Sequence, residues 1–286
     1  MDDLKVSGGY SRLPPRLESM YPSIARQQKD DVHGVAARLK AIQTVLAGRK
    51  LGAIVDLGGN SGYFCLSLID AGMATKATVY DIDMLGESLA AGRKMAGLLG
   101  IAGKIQYVEQ KIDLAFVRDM PTVDTIICLN LLHHSGRLFD VDMVHDKGWG
   151  QYANEWLTAM IGKSRLAIIG LAFDGESPPN WDEPAASRAQ RFARMAENAG
   201  WSVLYYANVR ELERLGVDAA KGRFSLPPTG IVDALLKFGV KATNILPLRP
   251  MKHLFKSAMR RMKILPKIQN RTGSMGTYHF YILESR

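Results

Sequence analysis

The chain has 286 residues, 47% of them hydrophobic, a formal charge of +9 and a pI near 9.5. That length and apolar content can bury a large core and fit one elaborated domain better than two independent ones. Two cysteines exclude a disulfide framework, no apolar run approaches membrane-spanning length, and the basic excess points to nucleic acid, an acidic substrate or a membrane surface.

Tyr10–Pro22 holds Pro14, Pro15 and Pro22 among scattered charges and reads as an irregular lead-in, after which Ser23 is placed to cap a helix. Val32, Val35, Ala36, Leu39, Ile42 and Leu46 fall at helical spacing, giving an amphipathic helix that ends near Gly48. Ala53–Leu57 is a short apolar run suited to a buried parallel strand, and a helical pattern starts after Ser61 with Phe64, Leu68 and Ala71 on one side. Between them lies a turn containing Gly58, Gly59, Asn60 and Gly62. Such a turn, at the carboxyl end of a parallel strand, is where open α/β sheets bind nucleotides, because glycine permits positive φ and lets a ligand lie against backbone. A dinucleotide fingerprint would need glycine at Asn60 and Tyr63, so that ligand class is excluded.

Ala77–Ile82 reads as a second strand, closing on Asp81 and Asp83; Asp83 also suits the N-cap of a helix over Leu85–Leu99. Lys104–Ile112 alternates as a third strand, with Asp113 just beyond it. Val123–Leu129 is a near-continuous apolar strand that contains Cys128; like Cys65 on the motif helix, this thiol reads as a small core residue in a reducing compartment. Asn130-Leu131-Leu132-His133-His134 follows, gathering polar side chains at the strand's carboxyl end. In Phe139–Ile161, His145 and glycines beside Trp149 and Tyr152 suit a mobile lid or an acceptor-binding wall, or else core aromatics, as preferred for Trp156.

Arg165–Phe173 is a fifth strand, with Asp174, Glu176 and Trp181 in the Pro-rich loop past its end. Pro184–Gly200 returns to a helix, Trp201–Ala207 is a sixth strand, and Thr277–Leu283 is the last. The connection between the last two is too long for a hairpin and reads as an inserted cap. From Ala234 to Leu283 there is no Asp or Glu but ten Lys or Arg residues. Met251, Leu254, Phe255, Ala258, Met259 and Met262 recur there at helical spacing opposite Lys252, Lys256, Arg260 and Lys263. This basic amphipathic pattern suits an anionic membrane surface or a charged acceptor, and equally a helix packed on the domain with a solvated basic face.

The run Asp56-x-Gly58-x-x-x-Gly62 resembles the first motif of class I S-adenosylmethionine (SAM) dependent methyltransferases, an acidic residue followed by Gly-x-Gly-x-Gly. Asn60 replaces the middle glycine, and Asn tolerates left-handed backbone better than most residues. Leu129-Asn130-Leu131-Leu132-His133-His134 is similar to the fourth-strand signature of small-molecule and glycan methyltransferases and differs from the Asn/Asp-Pro-Pro-aromatic motif of amino-directed DNA methyltransferases. The resemblance covers roughly 51–207 and the last strand.

It implies an α/β, doubly wound, Rossmann-like seven-stranded sheet whose last strand enters antiparallel beside the sixth. An N-terminal helix precedes that sheet, and a basic helical insertion precedes the last strand. The division expected is an N-terminal loop and helix at 1–50, a SAM-binding core at 51–207, the insertion at 208–276 and the last strand at 277–286. The implied reaction is SN2 methyl transfer from SAM, leaving S-adenosylhomocysteine. Gly58, Gly59, Asn60 and Gly62 would frame the methionine end, Asp56 would order the loop, and Asp81, with Asp83 as second choice, would hold the ribose. Asn130 would line the cofactor edge, and Asp113 is a lesser candidate for the adenine.

His133 and His134 are the candidate general bases for a hydroxyl acceptor, with His145 more distant. Trp149, Tyr152 and Asp174 are the substrate candidates, followed by Tyr10, Tyr21 and Arg26. The expected acceptor is a small molecule or glycan, foremost a sugar hydroxyl in a lipid-linked glycan, with RNA as the alternative and a non-catalytic SAM-binding scaffold as the answer of another class. No compact ligand cluster stands out, so no metal is expected. With no basic apolar leader after Met1, the expected address is cytoplasmic, peripheral at the inner membrane face through the 251–263 helix.

Overall fold

The computed structural model describes residues 12–25, 34–82, 86–173, 178, 181, 185–219 and 278–286. The chain divides into two units, Met1–Gly222 with Thr277–Arg286, and Arg223–Gly276. The second unit lies outside the described residues, as does the basic helix expected over 251–263.

Seven strands form one sheet: β1 (Gly52–Leu57), β2 (Ala74–Asp81), β3 (Ile105–Glu109), β4 (Val123–Leu129), β5 (Ser164–Ala172), β6 (Trp201–Asn208) and β7 (Tyr278–Ser285). Their order is β3-β2-β1-β4-β5-β7-β6. The first five are mutually parallel, and β7 lies between β5 and β6, antiparallel to both. The apolar runs at 53–57, 123–129 and 165–173 are these central strands, apolar on both faces because helices cover both faces of a parallel sheet.

Successive side chains on a strand point to opposite faces, so the sheet splits the core in two. Ile54, Ile127, Ile168 and Ile282 face one layer, built from α3 (Val35–Val45), α4 (Tyr63–Asp70), α5 (Ser88–Leu98) and α10 (Val209–Ala219). Val55, Ile126, Ile169 and Tyr281 face the other, built from α6 (Leu114–Asp119), α7 (Val141–Lys147), α8 (Trp149–Ile161) and α9 (Ala185–Asn198). Helix α10 packs on α3, β6 and β7, so the 208–276 segment expected as an insertion begins with a helix of the first unit.

Two expectations need correction. The Pro-rich lead-in forms two short helices, α1 (Pro15–Met20) and α2 (Pro22–Ala25). Each starts on a proline, whose missing N–H costs nothing in the first turn and whose fixed φ suits helix entry. The expected lid after β4 is helical and sealed: Ser135 and Phe139 close a bridge, α7 and α8 follow, and Trp149 and Tyr152 are fully buried. Their polar atoms serve the fold. Trp149 Nε1 donates to Ser135 Oγ at 3.0 Å, and Tyr152 Oη donates to Asp140 Oδ2 at 2.6 Å. That same carboxylate oxygen accepts the Leu114 N–H at 2.9 Å, pinning α6 to α8. Both side chains are sealed inside the layer that α6, α7 and α8 build.

Tyr152→Phe removes one donor from Asp140 and leaves the ring in place. The expected cost is about 1–3 kcal/mol, a fall in Tm of about 3–8 °C by circular dichroism. Affinity for S-adenosylhomocysteine should stay unchanged.

Candidate active site

The turn after β1 is built from below. Asp56, two residues before the turn, is 2% exposed, with the Cys65 thiol of α4 donating to its Oδ2 at 3.6 Å. Loss of water is the main effect on this carboxyl, and the nearby Asp81 charge acts in the same direction; together they push its pKa up from 3.8 to about 7 despite the Cys65 bond. Burial and the adjacent carboxylate drive the Cys65 thiol upward as well. Gly59 passes directly over Asp56: a Cβ there would sit 2.6 Å from the carboxyl carbon. The Gly58 and Gly59 N–H groups donate to Tyr80 O at the end of β2, at 2.9 and 3.3 Å.

Asn60 takes the left-handed conformation, φ 52°, in which its side-chain Oδ1 accepts the Ser61 N–H at 2.8 Å. Its own N–H donates to Asp81 Oδ2 at 2.9 Å. The glycine turn and the acid of β2 are thus one unit. Tyr107 on β3 supports it from the side, its hydroxyl donating to Ser61 O at 3.1 Å. Gly92 of α5 makes room for that ring, since a Cβ there would fall 2.4 Å from Tyr107 Cε1 and 2.6 Å from Ser61 O. Ile82, next to Asp81, is 43% exposed and presents an apolar side chain beside the carboxylate.

At the end of β4, Asn130 is also left-handed, φ 62°, and its Oδ1 accepts from Arg38 Nη1 of α3 at 3.3 Å. Arg38 is buried, with its guanidinium carbon 5.6 Å from the centre of the Phe64 ring of α4. A single 3-10 turn, Leu132–His134, then sets the histidine pair with ring centres 4.1 Å apart. His133 is sealed at 1% exposure and meets the Tyr278 ring edge-on at 6.2 Å, whereas His134 is half-buried.

Among the other candidates, Asp113 accepts the Phe116 N–H at 2.9 Å as the N-cap of α6, so its carboxylate belongs to the helix end. His145 is exposed on α7 beside Asp146. Tyr21 ends α1 and packs on the core. Tyr10, Arg26, Asp83, Asp174 and Glu176 lie outside the described residues. No three His, Cys, Asp or Glu side chains among the described residues come together as metal ligands, and no described helix is long and apolar enough to cross a membrane.

Sequence reading passed over Arg38, Tyr107, Tyr206 and His279. Because β7 is antiparallel, Tyr278 and His279 arrive at the edge where the parallel strands end, opposite Ala172 and Leu171. His279 Nδ1 meets Tyr206 Oη at 2.9 Å, and the loss of water around its ring lowers its pKa to about 4. The alternation of Thr277–Leu283, read with an antiparallel entry, was the one signal that places His279 there.

No family profile and no curated protein matches the sequence. Among solved structures, the chain is similar to a SAM-dependent methyltransferase from Geobacter sulfurreducens in complex with S-adenosyl-L-homocysteine, at 12% identity over 96% of this chain and 100% of that one, TM-score 0.49. A SAM-dependent methyltransferase from Thiobacillus denitrificans, in complex with the same ligand, gives 14%, 96%, 100% and 0.48. The O-methyltransferase of a trans-AT PKS multienzyme of Brevibacillus brevis gives 11%, 95%, 77% and 0.45. The strand order and the antiparallel β7 are read from this chain itself. It has the class I methyltransferase fold. The glycine turn, Asp81 and the histidine pair all lie at the carboxyl ends of the parallel strands of that fold, the edge at which open α/β sheets take ligands.

Asp56→Asn tests the buried carboxyl. Its folded pKa lies above the ordinary value, so ionising it costs stability progressively as pH rises from about 4 to about 7. Asparagine does not ionise, so in the ligand-free protein the Tm of the variant minus that of the parent should grow between about pH 5 and pH 8. An unchanged difference would mean that Asp56 titrates as an ordinary carboxyl.

Proposed function

We propose that the chain is a SAM-dependent methyltransferase whose acceptor is an oxygen, a sugar hydroxyl of a lipid-linked glycan. The observation that carries the first part is the bond from the Asn60 N–H to the Asp81 carboxylate, which sets an acid directly beside a glycine turn and supports its assignment to the ribose. The fit is physical: only glycine at position 59 lets the turn pass this close over Asp56, and the Asp81 carboxylate stands directly beside that turn at the end of β2. Gly58, Gly59, Asn60 and Gly62 frame the methionine end, Asn130 borders it, and Ile82 gives the adenine an apolar wall.

Bound SAM supplies an electrophilic methyl on a sulfonium, a centre needing no further activation. The protein's task is then to hold an acceptor oxygen in line with that methyl and to take its proton. His134, the more open of the pair, is assigned the proton, with His133 behind it holding the ring. The acceptor assignment is supported by that histidine pair and by the acid-free basic stretch from Ala234 to Leu283, which suits an anionic membrane surface and a protein peripheral at its inner face. The same charge favours RNA as the second reading.

Titration calorimetry of SAM and S-adenosylhomocysteine into the purified chain tests the cofactor half. Micromolar binding is expected, and Asp81→Ala should weaken it about 10–100-fold, the worth of a charged hydrogen bond. Absence of binding by either ligand would overturn the enzyme reading in favour of a scaffold. Incorporation of labelled methyl into neutral glycosides but not RNA would support the acceptor assignment, and the reverse would replace it.

A further inference from the structure

A row of rings runs along the sheet edge on the α8–α9 side. Tyr206 of β6 stacks on His279 of β7 with centres 5.9 Å apart and planes within 9°. His279 meets Phe173 at 5.1 Å, Phe173 meets Trp181 at 5.4 Å, and Trp181 meets the buried Trp149 at 4.6 Å. Arg188 covers Trp181 at the far end, its guanidinium carbon 5.7 Å from the ring centre. Tyr206, His279 and Trp181 are each half-buried, so part of the row is open to solvent.

His279 is the unusual member. Both faces of its ring are packed and Nδ1 is engaged by the Tyr206 hydroxyl, so the plane of the imidazole is fixed before any ligand arrives. Nε2 takes no hydrogen bond from the described residues and is not among the polar atoms sealed from water. A phenylalanine would fill the same slot without the desolvation that burial imposes on an imidazole. What histidine adds is one oriented, neutral hydrogen-bonding atom at the edge of an apolar surface, the composition of a small-molecule subsite.

We infer that this row is the acceptor subsite: the solvent-accessible parts of Tyr206 and Trp181 receive the apolar C–H face of a neutral pyranose, and His279 Nε2 hydrogen-bonds one of its hydroxyls. The inference rests on the methyltransferase reading above and extends it to a place and a ligand. The Arg188 guanidinium stands at the far end of the row, whereas the hydrogen-bonding atom at its His279 end belongs to a ring that loss of water keeps neutral, which suits a hydroxyl better than a phosphate or carboxylate there. His279 thereby acts on the acceptor and has no part in holding SAM.

The test uses the full chain saturated with S-adenosylhomocysteine and treated with diethyl pyrocarbonate, which acylates accessible neutral imidazole nitrogen. Peptide mass spectrometry should find His279 labelled, and methyl α-D-mannopyranoside at high millimolar concentration should slow that labelling roughly threefold or more. In parallel, His279→Phe, which keeps the stack, should hold S-adenosylhomocysteine within about twofold of the parent while raising the KM for glycoside methylation about tenfold or more. His279→Gln, which restores one hydrogen-bonding group, should recover part of that loss. An unlabelled His279, labelling indifferent to the glycoside, or a His279→Phe variant that loses the nucleoside ligand would each overturn the inference. Failure of the parent chain to bind S-adenosylhomocysteine would instead defeat the methyltransferase reading, and labelling of the ligand-free chain would still report whether a glycoside covers His279.

Discussion

One hydrogen bond, from the Asn60 N–H to the Asp81 carboxylate, ties the ends of two neighbouring parallel strands into a single unit. It demands that Asn60 adopt a left-handed backbone, which aligns the N–H with β2 and lets the amide side chain cap its neighbour. Around this bond the nearby groups are arranged as supports: Asp56 beneath it, Tyr107 beside it, and Gly59 and Gly92 where any Cβ would collide. The buried Asp56 carboxyl is the costly part of this arrangement, since its charge is disfavoured by its own environment and by Asp81. A group that raises the cost of the folded state and sits under a glycine turn at the carboxyl edge of a parallel sheet is more readily understood through binding than through stability.

Much of this was legible because local chemistry dictated it. The strands that carry the glycine turn and the histidines are short apolar runs with helices on both faces, and in such a sheet the polar residues just past each run must collect at one edge. Asp81 could be chosen for the same reason. The aromatic residues after β4 were less tractable. A glycine beside tryptophan and tyrosine reads equally well as a mobile wall or as the start of a packed helix, and the difference lies in Asp140 and Ser135, whose roles become visible only when α6, α7 and α8 are brought together. The prolines misled in a simpler way, because a proline that breaks a helix interior also favours a helix start.

Arg38 and His279 were not legible at all, and the reason is sequence separation. Arg38 meets Asn130 across 92 residues, and His279 meets Tyr206 across 73. A lone arginine on an amphipathic helix and a lone histidine in a strand carry no pattern of their own. Their placement follows from register, the antiparallel entry of β7 above all, and periodicity does not encode register between distant strands.

That entry also orders events in time. β5 and β6 share no ladder with each other; each is bonded to β7, the strand made last. Chains emerge from the amino end during synthesis, so β1 to β5, with the glycine turn and Asp81, can pair while β7 is still unmade. During that interval β5 is an open edge with apolar faces, a template for pairing with other chains. The half of the edge that carries the glycine turn and Asp81 is therefore a product of neighbouring segments and early folding, whereas the half that holds Tyr206 and His279 comes into being only when the sheet closes.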